Sequence, residues 1–93
     1  MNIKKLKLAR NKVDSIDKKI FNLIKKRTKI VNYMMIIKKK KNQIIDRKRI
    51  NIILKNIRKK SLINRIDPNI TLKIWKAMIW SYIDYQKKNF KKK

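Results

Sequence analysis

The chain has 93 residues, with 30 Lys+Arg against 5 Asp+Glu for a formal net charge of +25, and it contains one Pro and no Gly, Cys or His. Without glycine there is no phosphate-binding loop, dinucleotide fingerprint or nucleophile elbow. Without cysteine and histidine the usual zinc ligands, thiol chemistry and imidazole acid–base work drop out as well. A function that needs only positioned charges stays open.

At this length the sequence reads as one domain, 1–93, small enough that a core made by one copy is marginal. Lys, Ile and Asn are heavily used and Glu is absent, a bias that drift in an AT-rich genome produces. Individual Arg residues are therefore more informative than the lysines around them. The basic N-terminus leads into no apolar stretch of a secretory signal. The longest apolar run, Tyr33–Ile37, is far too short to span a bilayer. A cytoplasmic protein with no membrane association is expected.

The first helix is expected from about Lys4 to Lys39. Leu6, Val13, Ile16, Ile20, Leu23, Ile30, Met34 and Ile37 recur at helical spacing, the pattern of a helix that buries one stripe. Arg27 stands in that stripe where an apolar residue belongs, and a guanidinium there is costly unless an anion meets it. Lys38 follows eleven residues later on nearly the same face, roughly 16 Å along the axis, so the two long side chains can lean around a small anion. Arg10 lies 17 residues before Arg27, roughly 25 Å away, too far to serve the same pocket within one chain. It serves such a pocket only from a second copy lying antiparallel. A helix this long cannot have its stripe covered by the rest of so short a chain, so a dimer is expected. Asp14 and Asp17 sit beside Arg10 and Lys18 at spacings that support local ion pairs.

The charge run Lys38–Lys41 and a short connection, Asn42–Ile45, lead to Asp46, an expected N-cap. The second helix carries Ile50, Ile53, Leu54 and Ile57 on one stripe, with Arg49 at its edge. Ser61–Ile66 reads as the next connection. Asp67-Pro68 then starts a third helix, with the acid as cap and proline at the first position. Its stripe holds Thr71, Ile74, Trp75, Met78, Ile79 and Tyr82. Gln86 continues that line four residues on, which turns its amide inward. Residues 87–93 form a basic tail with little to bury, expected to be disordered.

Taken together these residues resemble the all-helical chorismate mutase family over roughly Leu8–Gln86. The opening reads Ala9-Arg10, Val13-Asp14-x-Ile16-Asp17, Ile20, Leu23 and Arg27. It is similar to the family's Leu-Arg, Ile-Asp-x-Ile-Asp and an Arg ten residues later. Lys38 stands where the family keeps a lysine, and Asp46-Arg-Lys-Arg49 resembles its Asp-x-x-Arg. From there through Asp67-Pro68 and Trp75 to Gln86 the pattern runs without a gap.

The resemblance implies an all-α fold: three helices per chain, one long and two shorter, in an intertwined homodimer with two equivalent sites. It implies rearrangement of chorismate to prephenate, an intramolecular Claisen-type step toward phenylalanine and tyrosine, with no cofactor and no metal. In that picture Arg10 of the partner copy and Arg27 grip the two carboxylates, and Arg49 adds a polar or cationic contact. Lys38 and Gln86 flank the ether oxygen, and Asp46 lies near the substrate hydroxyl. Two positions depart from the pattern. Ile50 occupies the place of a Glu that would accept a hydrogen bond from the hydroxyl, so replacing it by Glu is expected to raise turnover. Tyr82 stands where the family usually has Ser, with its own hydroxyl to offer.

Two other readings compete. A chain this basic attracts polyanions, so a helical nucleic-acid binder, or nonspecific nucleic-acid binding beside another function, is open. Against a sequence reader, Trp75, Trp80, Tyr82 and Tyr85 are confined to one helix. A catalytically weakened scaffold is the other, with Ile50 its best support.

Overall fold

The computed structural model describes residues 2–38 and 40–90. Three helices account for most of them: α1, Ile3–Ile37; α2, Arg47–Ile63; and α3, Pro68–Asn89. A single 3-10 turn, Lys41–Gln43, stands between α1 and α2, and no strand occurs among the described residues. The expected all-helical class and the three helices are therefore present. Among the described residues no helix is long and apolar enough to cross a membrane.

The chain divides into two compact units, 1–34 and 35–93. The first holds α1 as far as Met34. Asn2 caps it, its side-chain oxygen accepting from the Lys5 amide at 3.0 Å, so the helix starts one residue earlier than Lys4. It ends at Ile37, and Lys39, the expected last residue, lies outside the described residues. With 35 residues, α1 is roughly 52 Å long. Residues of its apolar stripe are exposed: Val13 and Ile16 are 54% exposed and Leu23 is 62% exposed.

The second unit is built on α2 and α3, which pack against each other. Ile44, Ile79 and Ile83 form its buried centre, with Ile45, Ile50, Ile53, Leu54 and Phe90 packed around them. The expected stripe of α2 thus faces the core. On α3 the buried line is Ile79, Ile83 and Gln86. Ile83 was absent from the expected stripe, and Ile74, which was included, is exposed. The helix runs on through Lys87 and Lys88 to Asn89, and Phe90 lies against the core. Residues 87–89 of the expected tail are thus helical, while residues 91–93 lie outside the described residues.

Helix α2 runs on through Ser61, Leu62 and Ile63, the first half of the expected connection, and its end is closed by specific bonds. The Ser61 hydroxyl donates to the Ile57 carbonyl at 2.6 Å and meets the Thr71 hydroxyl of α3 at 2.6 Å. Since serine has one proton and gives it to Ile57, Thr71 is the donor of the second bond. Beyond it, Ile66 N–H bonds the Ser61 carbonyl and Arg65 N–H bonds the Leu62 carbonyl, the pairing of a Schellman closure. That closure needs a left-handed residue, and Arg65 takes it at φ 56°. Glycine is the usual occupant, and a residue with a Cβ is strained there by about 1 kcal/mol.

Arg65→Gly is therefore expected to stabilise the fold by about 1 kcal/mol, raising Tm by about 4–8 °C. Arg65→Ala, which keeps the Cβ, should leave Tm near its starting value. Calorimetry on the three proteins checks this.

Candidate active site

Packing on the core fixes the side chain around which the site is built. Gln86 sits on the buried line of α3 and is only 7% exposed. A buried amide must have partners for both its oxygen and its nitrogen. Its Nε2 donates to the Tyr82 carbonyl one turn earlier at 3.2 Å, and its Oε1 accepts from the Lys38 ammonium at 3.0 Å. These partners settle the amide's orientation, because a lysine can only donate and a carbonyl can only accept. After the two bonds Lys38 keeps two N–H donors and Gln86 keeps one.

Lys38 comes directly after the last residue of α1 and is half-buried. Burial pushes its ammonium below the ordinary lysine value, and the carboxylate of Asp46 works in the opposite direction. Asp46 caps α2 as expected, its Oδ1 accepting from the Arg49 amide at 3.0 Å. Lys38 and Asp46 line one concavity of about 650 Å³ together with Gln43, Ile45 and Arg47.

The structure thus brings Lys38, Gln86 and Asp46 together, with Tyr82 half-buried and joined through its carbonyl. Arg49 meets Asp46 through its backbone amide, and its side chain is exposed. Arg10 and Arg27 belong to the first unit. Arg10 is exposed, whereas Arg27 is half-buried with its Nη1 screened from solvent. Ile50 is half-buried against the core. Three lining residues, Gln43, Ile45 and Arg47, were missed in the sequence. Arg47 had a legible signal, since the residue just after an N-cap shares its corner with the capping carboxylate.

A partly desolvated ammonium bonded to a buried amide is equipment for holding negative charge. The class it defines is a catalyst or binder that works by electrostatics and positioning on a small anionic ligand. The family model for chorismate mutase type II matches residues 9–87. The chain belongs to that family and is an isomerase that rearranges chorismate to prephenate. A search of curated proteins and a search of solved structures each gave no match.

The pH profile follows from Lys38. Its folded-state value lies below 10.5, so the ammonium is complete below that lowered value and disappears as pH rises through it. We expect kcat/KM to fall on the alkaline side with a midpoint below the ordinary lysine value. Lys38→Arg carries a cation that does not titrate in this range, so whatever rate it retains should lack this limb. An identical limb in Lys38→Arg would assign the titration to another group.

Proposed function

We propose that the rearrangement takes place between two copies of this chain, arranged as an intertwined homodimer in the cytoplasm. Each site takes Arg27, Lys38, Asp46, Arg49, Tyr82 and Gln86 from one copy and Arg10 from the other. Arg10 and Arg27 hold the two carboxylates of chorismate, which keeps the substrate compact. Lys38 and the free N–H of Gln86 face the ether oxygen, Asp46 lies near the hydroxyl, Arg49 adds positive charge, and Tyr82 lines the pocket.

The reaction explains why such a kit is enough. A pericyclic step breaks one C–O bond and forms one C–C bond within a single molecule, so no nucleophile, metal, cofactor or proton shuttle is required. The ether oxygen gains negative charge as its bond to carbon lengthens. A donor aimed there beforehand acts on the transition state more than on the substrate. One such donor is worth on the order of 3 kcal/mol, about a hundredfold in rate. Holding the molecule in its folded, reactive shape supplies a further share.

The observation that carries this reading is the bond between the Lys38 ammonium and the buried Gln86 amide. The stripe on α1 supports the dimer, because Val13, Ile16 and Leu23 are large apolar side chains more than half exposed on one helix. Arg27's half-buried position in that stripe fits a cation facing a shared cavity. The charge of +25 also favours nonspecific nucleic-acid binding beside the enzymatic activity.

Mixing two variants tests the shared site. Arg10→Ala and Lys38→Gln should each be nearly inactive in converting chorismate to prephenate. After the two are unfolded and refolded together, mixed dimers contain one intact site, and activity should return to about one quarter of the wild-type rate. No recovery, with mixed dimers confirmed by mass spectrometry, would place Arg10 in its own chain's site or outside any site.

Ile50→Glu has two expected effects. Introducing a carboxylate at a position packed on Ile44, Ile79 and Ile83 lowers stability by about 2 kcal/mol. The same carboxylate offers the substrate hydroxyl an acceptor, so kcat/KM should rise. Denaturant titration and steady-state kinetics on one preparation read both.

A further inference from the structure

The connection between α1 and α2 carries cations that the proposed reaction does not use. Next to the Lys38 concavity, and within the second unit, lies another lined by Lys41, Asn42, Ile45, Arg47 and Lys87. Three of these side chains are cationic, and no carboxylate stands among the described residues that line it. A third concavity adjoins it through Lys41 and Asn42 and adds Lys40 and Phe90.

The three cations do not share a helix face. Lys41 opens the 3-10 turn, Arg47 is the first residue of α2, and Lys87 lies near the end of α3. Each sits beside a fixed point of the backbone. The Gln43 and Ile44 amides close the turn by donating to the Lys40 and Lys41 carbonyls at 3.1 and 3.2 Å, and Ile44 is buried in the core. Arg47 follows the capping carboxylate of Asp46, and Lys87 follows the buried Gln86. Like charges brought by three separate elements to one hollow focus their field on an anion held there.

Their chemistry narrows the class of anion. An arginine fork takes two oxygens at once, and lysines meet further oxygens as point charges. A carboxylate presents its oxygens in one plane, whereas linked phosphoryl groups present them in several directions. Arg47 and Ile45 also line the concavity that holds Lys38. An anion in the second concavity draws the Arg47 guanidinium to its own side and adds negative charge beside the first. Both effects oppose an anionic substrate.

We propose that Lys41, Arg47 and Lys87 form a second anion site, for a small di- or triphosphate, and that its occupation weakens substrate binding through the shared Arg47. The coupling rests on the reading of the Lys38 concavity as the chorismate site. The binding does not.

Pyrophosphate is the probe, titrated calorimetrically into the full chain without divalent metal at about 0.15 M salt, where long-range attraction to the net charge is screened. Lys41→Gln combined with Lys87→Gln removes two of the three cations. Lys59→Gln combined with Lys73→Gln removes the same charge from exposed positions near the α2–α3 connection. Kd should weaken about tenfold in the first double variant and less than about twofold in the second. Saturating pyrophosphate should raise KM for chorismate to a plateau of about fivefold with kcat unchanged. The first double variant should match wild type without pyrophosphate and need about tenfold more of it to reach the plateau.

Equal weakening of Kd in the two double variants would overturn the site, because it would assign binding to diffuse charge. A KM that climbs without a plateau, alike in wild type and the first double variant, would place pyrophosphate in the substrate's own site. An unmoved KM at saturation would remove the coupling. Failure of the chorismate reading looks different: the Kd values keep the expected order while wild type itself does not turn over chorismate.

Discussion

A cation is kept partly out of water beside a buried neutral amide, and the rest of the structure is arranged to make that tolerable. Withdrawing an ammonium from solvent, even in part, is unfavourable unless hydrogen bonds and opposite charge replace what water supplied. The Gln86 oxygen supplies a hydrogen bond and Asp46 supplies the charge. Each depends on a structural element. Gln86 faces inward because Ile79 and Ile83 bury that line of α3, and Asp46 is held because α2 must begin with an acceptor for its free amides. The site is therefore a by-product of ordinary packing and capping, with two polar groups set where apolar or solvated ones would normally stand.

This economy matches the chemistry of the family. Rearranging chorismate asks the protein for shape and for charge in fixed places, so a chain without glycine, cysteine, histidine or glutamate loses little by lacking them. It also accounts for how a composition driven toward Lys, Ile and Asn can remain compatible with an enzyme. Extra lysines on exposed helix faces are solvated and interact weakly. The demand for specific residues is concentrated at the few positions where a charge or an amide is removed from water.

Much of this was legible in the sequence, for reasons that differ from residue to residue. Asp46 and Asp67 announced two helix starts, because an acid before a helical stripe has a defined physical task, and both cap as expected. Gln86 was legible because a polar residue continuing an apolar line must be turned inward. The end of α2 was not legible. Its closure runs through a serine–threonine pair and a left-handed arginine, and a chain without glycine gives no sign of where such a turn falls. Phe90 was hidden by the lysines around it, since a single aromatic residue at the end of a basic tail has no periodicity to betray its packing. Ile50 was recognised as a departure from the family pattern, but only the fold shows that its side chain is packed on the core.

We propose that Lys38 supplies the charge that stabilises the breaking C–O bond. It is tested most directly by comparing the purified wild-type chain with Lys38→Ala while chorismate consumption and prephenate formation are followed. Wild type should convert chorismate to prephenate, and the variant should be slower in kcat by at least about a hundredfold, with its helical content unchanged by circular dichroism. A folded Lys38→Ala protein that turns over chorismate at the wild-type rate would contradict the account.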